Sequence, residues 1–178
     1  LVLDECFVQF LTSGEEASMQ LETGRFRYLF VLQAFTKIYA VPGIRLGYGI
    51  SSDKALLERM ETVRQPWRVS TPAQAAGLSA LKEDHREEQT RQLVKSERER
   101  MEKELENLRI EYIPSEANFL LFNSEINWFE ELKKRGILIR DCANYRGLGI
   151  GWYRLAVRLP EENDRLLECM KQVLNERS

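Results

Sequence analysis

One lysine and one arginine, eight residues apart, open the chemical reading of this chain. Lys37 follows an apolar run directly, and Arg45 comes after a Pro42-Gly43 turn. Thr36 sets a hydroxyl between the apolar run and the lysine. An amine can form an imine with an aldehyde, while a guanidinium and a hydroxyl can hold phosphate. A phosphorylated aldehyde would use all three. By spacing alone, ordinary surface residues remain the alternative, since exposed lysines and arginines are common. Upstream, Leu1-Val2-Leu3 ends in Asp4-Glu5, as a buried parallel strand does at its carboxyl end. Asp4 on its own could be no more than a strand-end residue.

These groups need elements to position them. Residues 28–34 read as a second buried strand, and 46–50 as another apolar stretch rich in glycine. Ser52-Asp53 caps a helix over about 54–65, which Pro66 stops. Thr71 caps the next helix, with Pro72 in its first turn. Residues 83–106 are densely charged, and Leu93, Met101, Leu105 and Leu108 form a thin apolar stripe. Acidic and basic residues interleave there, so a long solvated helix fits better than a nucleic-acid surface. Strands follow at 109–113, 117–122 and 137–139, with a helix at 127–135 ended by Gly136. A last strand covers 152–157. Pro160 begins a final helix with Leu166, Leu167, Met170 and Val173 on its inner side. The expected organisation is α/β. Residues 1–82 form part of a larger lobe, 83–108 a linking helix, and 109–178 a small α+β lobe.

Bulk properties narrow the classes. In 178 residues, 43% are hydrophobic, which suits a globular core, and the formal net charge is -2. No charge excess points to nucleic acid or to a membrane surface. No uncharged apolar run is long enough to span a bilayer, and no secretory signal opens the chain. The cysteines, Cys6, Cys142 and Cys169, are three and far apart. They suit a reducing cytoplasm and match no zinc spacing. The chain reads as a fragment whose N-terminal half is missing. His85, the sole histidine, is expected to be solvated, and Gly147 to Gly151 to be a turn rather than a nucleotide loop.

The segment from Thr36 to Tyr48 resembles the lysine signature of class I and II aminotransferases. The form is that of histidinol-phosphate aminotransferases and threonine-phosphate decarboxylases. Thr36, Lys37, Tyr39, Gly43, Arg45 and Gly47 match it, and Asp4-Glu5-Cys6-Phe7 matches the family's upstream acidic motif. Residues 115–122, 136–142 and 153–157 resemble its later motifs. The resemblance implies the C-terminal part of the pyridoxal-phosphate-dependent transferase fold, with pyridoxal 5'-phosphate as cofactor. It implies Lys37 as the Schiff-base lysine and Asp4 as partner of the pyridine nitrogen. Thr36 and Arg45 would be cofactor-binding residues, and Arg154 and Arg140 would hold the substrate's carboxylate and phosphate. Surface arginines are the alternative for the last two, and Arg158 is a rival for Arg154. Two positions depart from the pattern. Ala34 stands where relatives carry Ser or Thr, and Phe7 where the aminotransferases carry Tyr. Phe7 and Gln65-Pro66-Trp67 lean toward the decarboxylase branch.

The implied activity is decarboxylation of threonine O-3-phosphate, serving cobalamin synthesis. The alternatives are transamination of histidinol phosphate or another class I or II aminotransferase activity and, from another class, a non-catalytic aminotransferase-like domain of a regulator. A small amino acid or amino phosphate substrate, a cytoplasmic homodimer, and no metal, nucleic-acid or membrane partner are expected. The fragment by itself is expected to be inactive.

Overall fold

The computed structural model describes residues 1–83 and 85–177. The chain divides into two compact units, Leu1–Arg91 and Gln92–Ser178.

The first unit is built on a three-stranded sheet in the order β1-β2-β3, with β1 at Val2–Asp4, β2 at Phe30–Ala34 and β3 at Gly47–Ile50. β1 and β2 are parallel, with Asp4 opposite Leu32, and β3 returns antiparallel with Gly47 opposite Ala34. Gly47 is required there, because a Cβ would stand 2.9 Å from the Gln33 carbonyl. One helical turn, α1 at Phe35–Ile38, follows β2 directly. Short 3-10 turns fill the connection between β1 and β2.

Helix α2 covers Lys54–Val63, and Asp53 caps it by accepting from the Leu56 N–H at 3.1 Å. Helix α3 covers Thr71–Ala80. Its cap is Ser70, whose hydroxyl accepts from the Ala73 N–H, one residue before the expected Thr71. The long helix α4, Arg86–Asn107, begins in the first unit and continues into the second.

In the second unit a four-stranded antiparallel sheet runs β4-β5-β7-β6. The strands are β4 Tyr112–Ile113, β5 Phe119–Asn123, β6 Arg140–Asp141 and β7 Trp152–Ala156. Helix α5 is Trp128–Lys134 and α6 is Pro160–Asn175. Alternation sends Leu120, Phe122, Tyr153 and Leu155 into the core, where Leu166, Leu167, Met170 and Val173 of α6 are buried too.

The strands expected at 109–113 and 137–139 are shortened or displaced, and helix ends are the cause. Arg109 turns left-handed (φ 56°) and the Ile110 N–H returns to the Leu105 carbonyl, so only Tyr112–Ile113 is left to pair. Gly136 (φ 73°) ends α5 in the same way, and the Ile137 N–H bonds to Leu132. Ile137 is therefore taken up by the helix end, and the strand falls on Arg140–Asp141 rather than 137–139.

The buried face of α4 also differs from expectation. Val94, Glu97, Arg98, Met101 and Leu105 are buried, while Leu93 is exposed. The charged residues at 97 and 98 interrupt the apolar stripe, which hid its true phase. Arg98 donates to the carbonyls of Glu116 and Ala117 ahead of β5. The Glu97 carboxylate accepts from Arg100 at 2.7 Å and from the buried Asn163 side chain at 2.7 Å. Asn163 also accepts from the Arg158 N–H and donates to the Arg158 carbonyl, which fixes the entry to α6.

Hydrogen bonds from Arg100, and then from Asn163, hold the Glu97 carboxyl below its ordinary value of 4.5, against burial. A depressed folded-state value means this stabilisation is complete above the unfolded value and fades as pH falls through the folded one. Asn163→Leu should cost about 1–3 kcal/mol at pH 7, because it leaves a buried carboxylate short of a donor. Urea unfolding midpoints check this, and the gap from the parent chain should narrow below about pH 4.

Candidate functional site

The carboxyl ends of the parallel strands β1 and β2 bring three of the four cofactor candidates together. Asp4 closes β1, and Thr36 and Lys37 lie in the turn that leaves β2. Carboxyl ends of parallel strands are where open α/β sheets bind their ligands. Phe35 and Ile38 are buried and anchor that turn, which leaves Thr36 half-buried and Lys37 exposed. Among the described residues, the Lys37 amine has no hydrogen-bond or ion-pair partner. Its Nζ lies 5.4 Å from the centre of the Phe7 ring. A cation over an aromatic face is attracted to it, so Phe7 holds the amine beside the end of β1.

Asp4 is held by its own loop. Its Oδ1 accepts from the Cys6 N–H at 3.0 Å. The Cys6 thiol, and then its backbone N–H, lower the Asp4 carboxyl from its ordinary range. Burial, with the hydrogen bond and charge of Asp4 behind it, pushes the Cys6 thiol up to about 11, and the Lys37 charge opposes this. Cys6 thus lies within electrostatic reach of both Asp4 and Lys37. Sequence reading passed it over, and its place inside the acidic motif was the available signal.

Arg45 reaches the same end of the sheet by another route. The antiparallel ladder of β2 and β3 continues one step past the strands, since the Phe35 N–H bonds to the Leu46 carbonyl at 3.1 Å. Arg45 adopts left-handed backbone (φ 58°) at the end of the Pro42–Ile44 turn. That conformation costs a non-glycine residue about 1–2 kcal/mol, and such strain clusters at ligand sites. Its guanidinium donates only to the Pro42 carbonyl among the described residues, at 3.2 Å. At Ala34 the turn start has no side-chain cap, as the loss of a hydroxyl there requires.

Arg140 and Arg154 lie in the second unit. They are direct partners across the antiparallel pair of β6 and β7, so both side chains stand on the same face of the sheet. That face is the half-exposed one, opposite Leu155 and Phe122. Arg154 lies 5.1 Å over the Phe119 ring, and Arg140 lies 5.4 Å over the Tyr145 ring. Arg140 also donates to the Asn144 side chain at 3.4 Å. Neither has an ion pair among the described residues. The neighbouring Asp141 carboxylate is used on the Ala143 N–H instead. Arg158, the rival for Arg154, lies beyond β7 and is ion-paired to Glu162 at 2.7 Å. Two guanidiniums side by side without a carboxylate can bind an anion.

Comparison with known proteins identifies the family. Residues 1–169 match the family described as aminotransferase class I and II. The chain belongs to that family. It is one of pyridoxal-phosphate-dependent enzymes, so the family resemblance, the fold class and the cofactor expected from the sequence are borne out. The chain is 36% identical to the threonine-phosphate decarboxylase of Salmonella typhimurium, over 98% of its own length and 48% of the relative's. It is also 36% identical to histidinol-phosphate aminotransferase 1 of Archaeoglobus fulgidus, over 98% and 52%. A crystal structure of histidinol-phosphate aminotransferase from Clostridium acetobutylicum superimposes with a TM-score of 0.92 at 31% identity, covering 98% of this chain and 54% of that one. The chain therefore spans about half the length of the curated relatives it matches. Among the described residues no helix is long and apolar enough to cross a membrane, and no cluster of acidic, histidine or cysteine side chains is placed to hold a metal.

The opposed arginines generate a stability prediction. Like charges directly across a strand pair destabilise it. Arg140→Gln should therefore raise the thermal midpoint of the chain, by an amount equivalent to roughly 0.5 kcal/mol at low salt. The gain should shrink in 0.5 M salt, where the Debye length is only about 4–5 Å. Differential scanning calorimetry at the two salt levels measures it.

Proposed function

We propose that the complete protein is a pyridoxal-phosphate-dependent enzyme that decarboxylates threonine O-3-phosphate, a step that serves cobalamin synthesis. The observation that carries this reading is Lys37 standing over Phe7 next to the carboxyl end of β1, the strand that Asp4 closes with its carboxyl held below the ordinary range. The residue types fit the cofactor. Lys37 offers an amine, Thr36 and Arg45 offer donors for a phosphate, and Asp4 offers a carboxylate for a ring nitrogen.

Bound pyridoxal 5'-phosphate supplies an aldehyde for the amine and a ring that draws electrons from a bond broken at the substrate's α-carbon. Lys37 would hold the cofactor, and its amine, once displaced by the substrate's amine, would supply the proton that replaces CO2 at the α-carbon. Asp4 keeps the ring nitrogen protonated, and its lowered carboxyl suits it to remain charged. Phe7 has no hydroxyl to donate to the ring oxygen, unlike the tyrosine of the aminotransferase pattern. Arg154 takes the substrate carboxylate and Arg140 the substrate phosphate. Their shared face and lack of carboxylate partners support those roles. How these arginines would hold the substrate bears on which bond at its α-carbon breaks. A homodimer and a cytoplasmic location complete the reading. Transamination of histidinol phosphate is the second reading, favoured by identity to relatives of that name.

Two measurements test the proposal. Borohydride treatment of the complete protein with cofactor should leave a phosphopyridoxyl mass on the peptide that contains Lys37. Lys37→Ala should abolish both that mass and turnover, and a fully active variant would remove Lys37 from its role. With threonine O-3-phosphate as substrate, CO2 should be released. Preferential transfer of the amino group of histidinol phosphate to 2-oxoglutarate would promote the second reading over the first.

A further inference from the structure

Behind the site, a run of polar contacts crosses all three strands of the first sheet. Glu5 follows Asp4 directly. Its carboxylate accepts from the Ser18 hydroxyl at 2.6 Å, the Met19 N–H at 2.8 Å and the Gln33 side-chain amide at 3.3 Å. The same Gln33 amide reaches the Ser18 oxygen at 3.3 Å. Gln33 in turn accepts from the Tyr48 hydroxyl at 2.7 Å, and these two residues are partners across β2 and β3. Ser18 and Gln33 are buried. Every donor in the run meets an acceptor.

The run decides which way Asp4 faces. β1 pairs with β2 over only three residues, and of its two apolar side chains Val2 is exposed and Leu3 only half-buried. Such a strand has little apolar patterning to specify its register, and a slip of one residue would send Asp4 to the other face. Asp4 is partnered with Leu32, and the Glu5 N–H continues the ladder to the Leu32 carbonyl at 2.8 Å. Alternation then places Glu5 on the face of Gln33, opposite that of Asp4. We propose that Glu5 is a positioning residue, whose carboxylate locks the register of β1 through Ser18 and Gln33 and so holds Asp4 at the strand end where Phe7 meets Lys37. The functional meaning rests on the reading of Asp4 as partner of the cofactor's ring nitrogen.

Cys6 reports on this without any cofactor, since its thiol is raised to about 11 by burial and by Asp4. The rate of its alkylation by iodoacetamide, resolved by mass from Cys142 and Cys169, is followed against pH in the cofactor-free protein. Glu5→Gln keeps the volume and the Met19 contact, yet sets an amide against the Gln33 amide. It should make Cys6 at least tenfold faster to alkylate at pH 8, because the thiolate fraction rises about tenfold for each unit the thiol falls. Ser18→Ala removes a single hydroxyl and should shift the profile the same way, by less. The exchange E5Q/Q33E restores an acceptor facing a donor and should return the profile to that of the parent. A merely structural role would lower the thermal midpoints without that return. A parent profile in Glu5→Gln or, if that variant does not fold, in Ser18→Ala overturns the proposal. So does an exchange that fails to restore it. Because the readout needs no cofactor, its failure is distinct from a failure to trap cofactor on Lys37.

Discussion

The parallel pairing of β1 with β2 is the constraint from which the rest of the first unit follows. Parallel strands present their carboxyl ends on one side, so a residue closing β1 and a residue leaving β2 become neighbours although 33 positions separate Asp4 from Lys37. Antiparallel pairing would have sent them to opposite edges. β3 then returns against β2 closely enough to require Gly47, which brings Arg45 back to the same edge. One carboxylate, one amine and one guanidinium thus come to one edge from three strand ends, and among the described residues no ion pair neutralises them.

The second unit assembles its charges differently. Its two arginines come from partnered positions of adjacent strands, where the pleat itself sets them side by side. The sheet is rigid beneath them, because Leu155, Phe122 and Leu120 are fully buried against the helices. Two aromatic rings lie under the guanidiniums and restrain them without consuming their donors. The carboxylates nearby are used elsewhere, Asp141 on a turn and Glu162 on Arg158. The face thus retains uncompensated positive charge at a position that packing holds fixed.

Much of this was legible in the sequence because it depends on local signals. The cap at Asp53, the stop at Gly136 and the inner side of α6 each follow from residues a few positions apart. The motif around Lys37 named the amine and its guanidinium for the same reason. What escaped was set by partners distant in sequence. The phase of α4 was hidden because its buried face includes Glu97 and Arg98, whose burial makes sense only with Asn163 and the Glu116 carbonyl in view. The pairing of Arg140 with Arg154 was missed because the Ile137 N–H is taken by the end of α5, which moved the strand three residues onward. Glu5 stood in the acidic motif, but its role did not show there, since its partners Ser18 and Gln33 are distant in sequence.

The departures from local preference share a direction. Arg45 accepts left-handed backbone that a glycine would adopt without cost. Arg140 and Arg154 face each other with like charge, and Lys37 is offered only a ring. The strained backbone of Arg45 and the opposed arginines each lower the stability of the chain in isolation, by amounts of about 0.5–2 kcal/mol. The polar contacts that are fully satisfied, around Glu5 and around Glu97, lie on the opposite side of each sheet or within its helices. The division has a physical logic. Groups that must meet a charged ligand cannot be neutralised by the protein, so their positions have to be enforced from behind by contacts that never touch the ligand. A substitution in the supporting network should then act on geometry before it acts on chemistry, and one among the exposed charges should do the reverse.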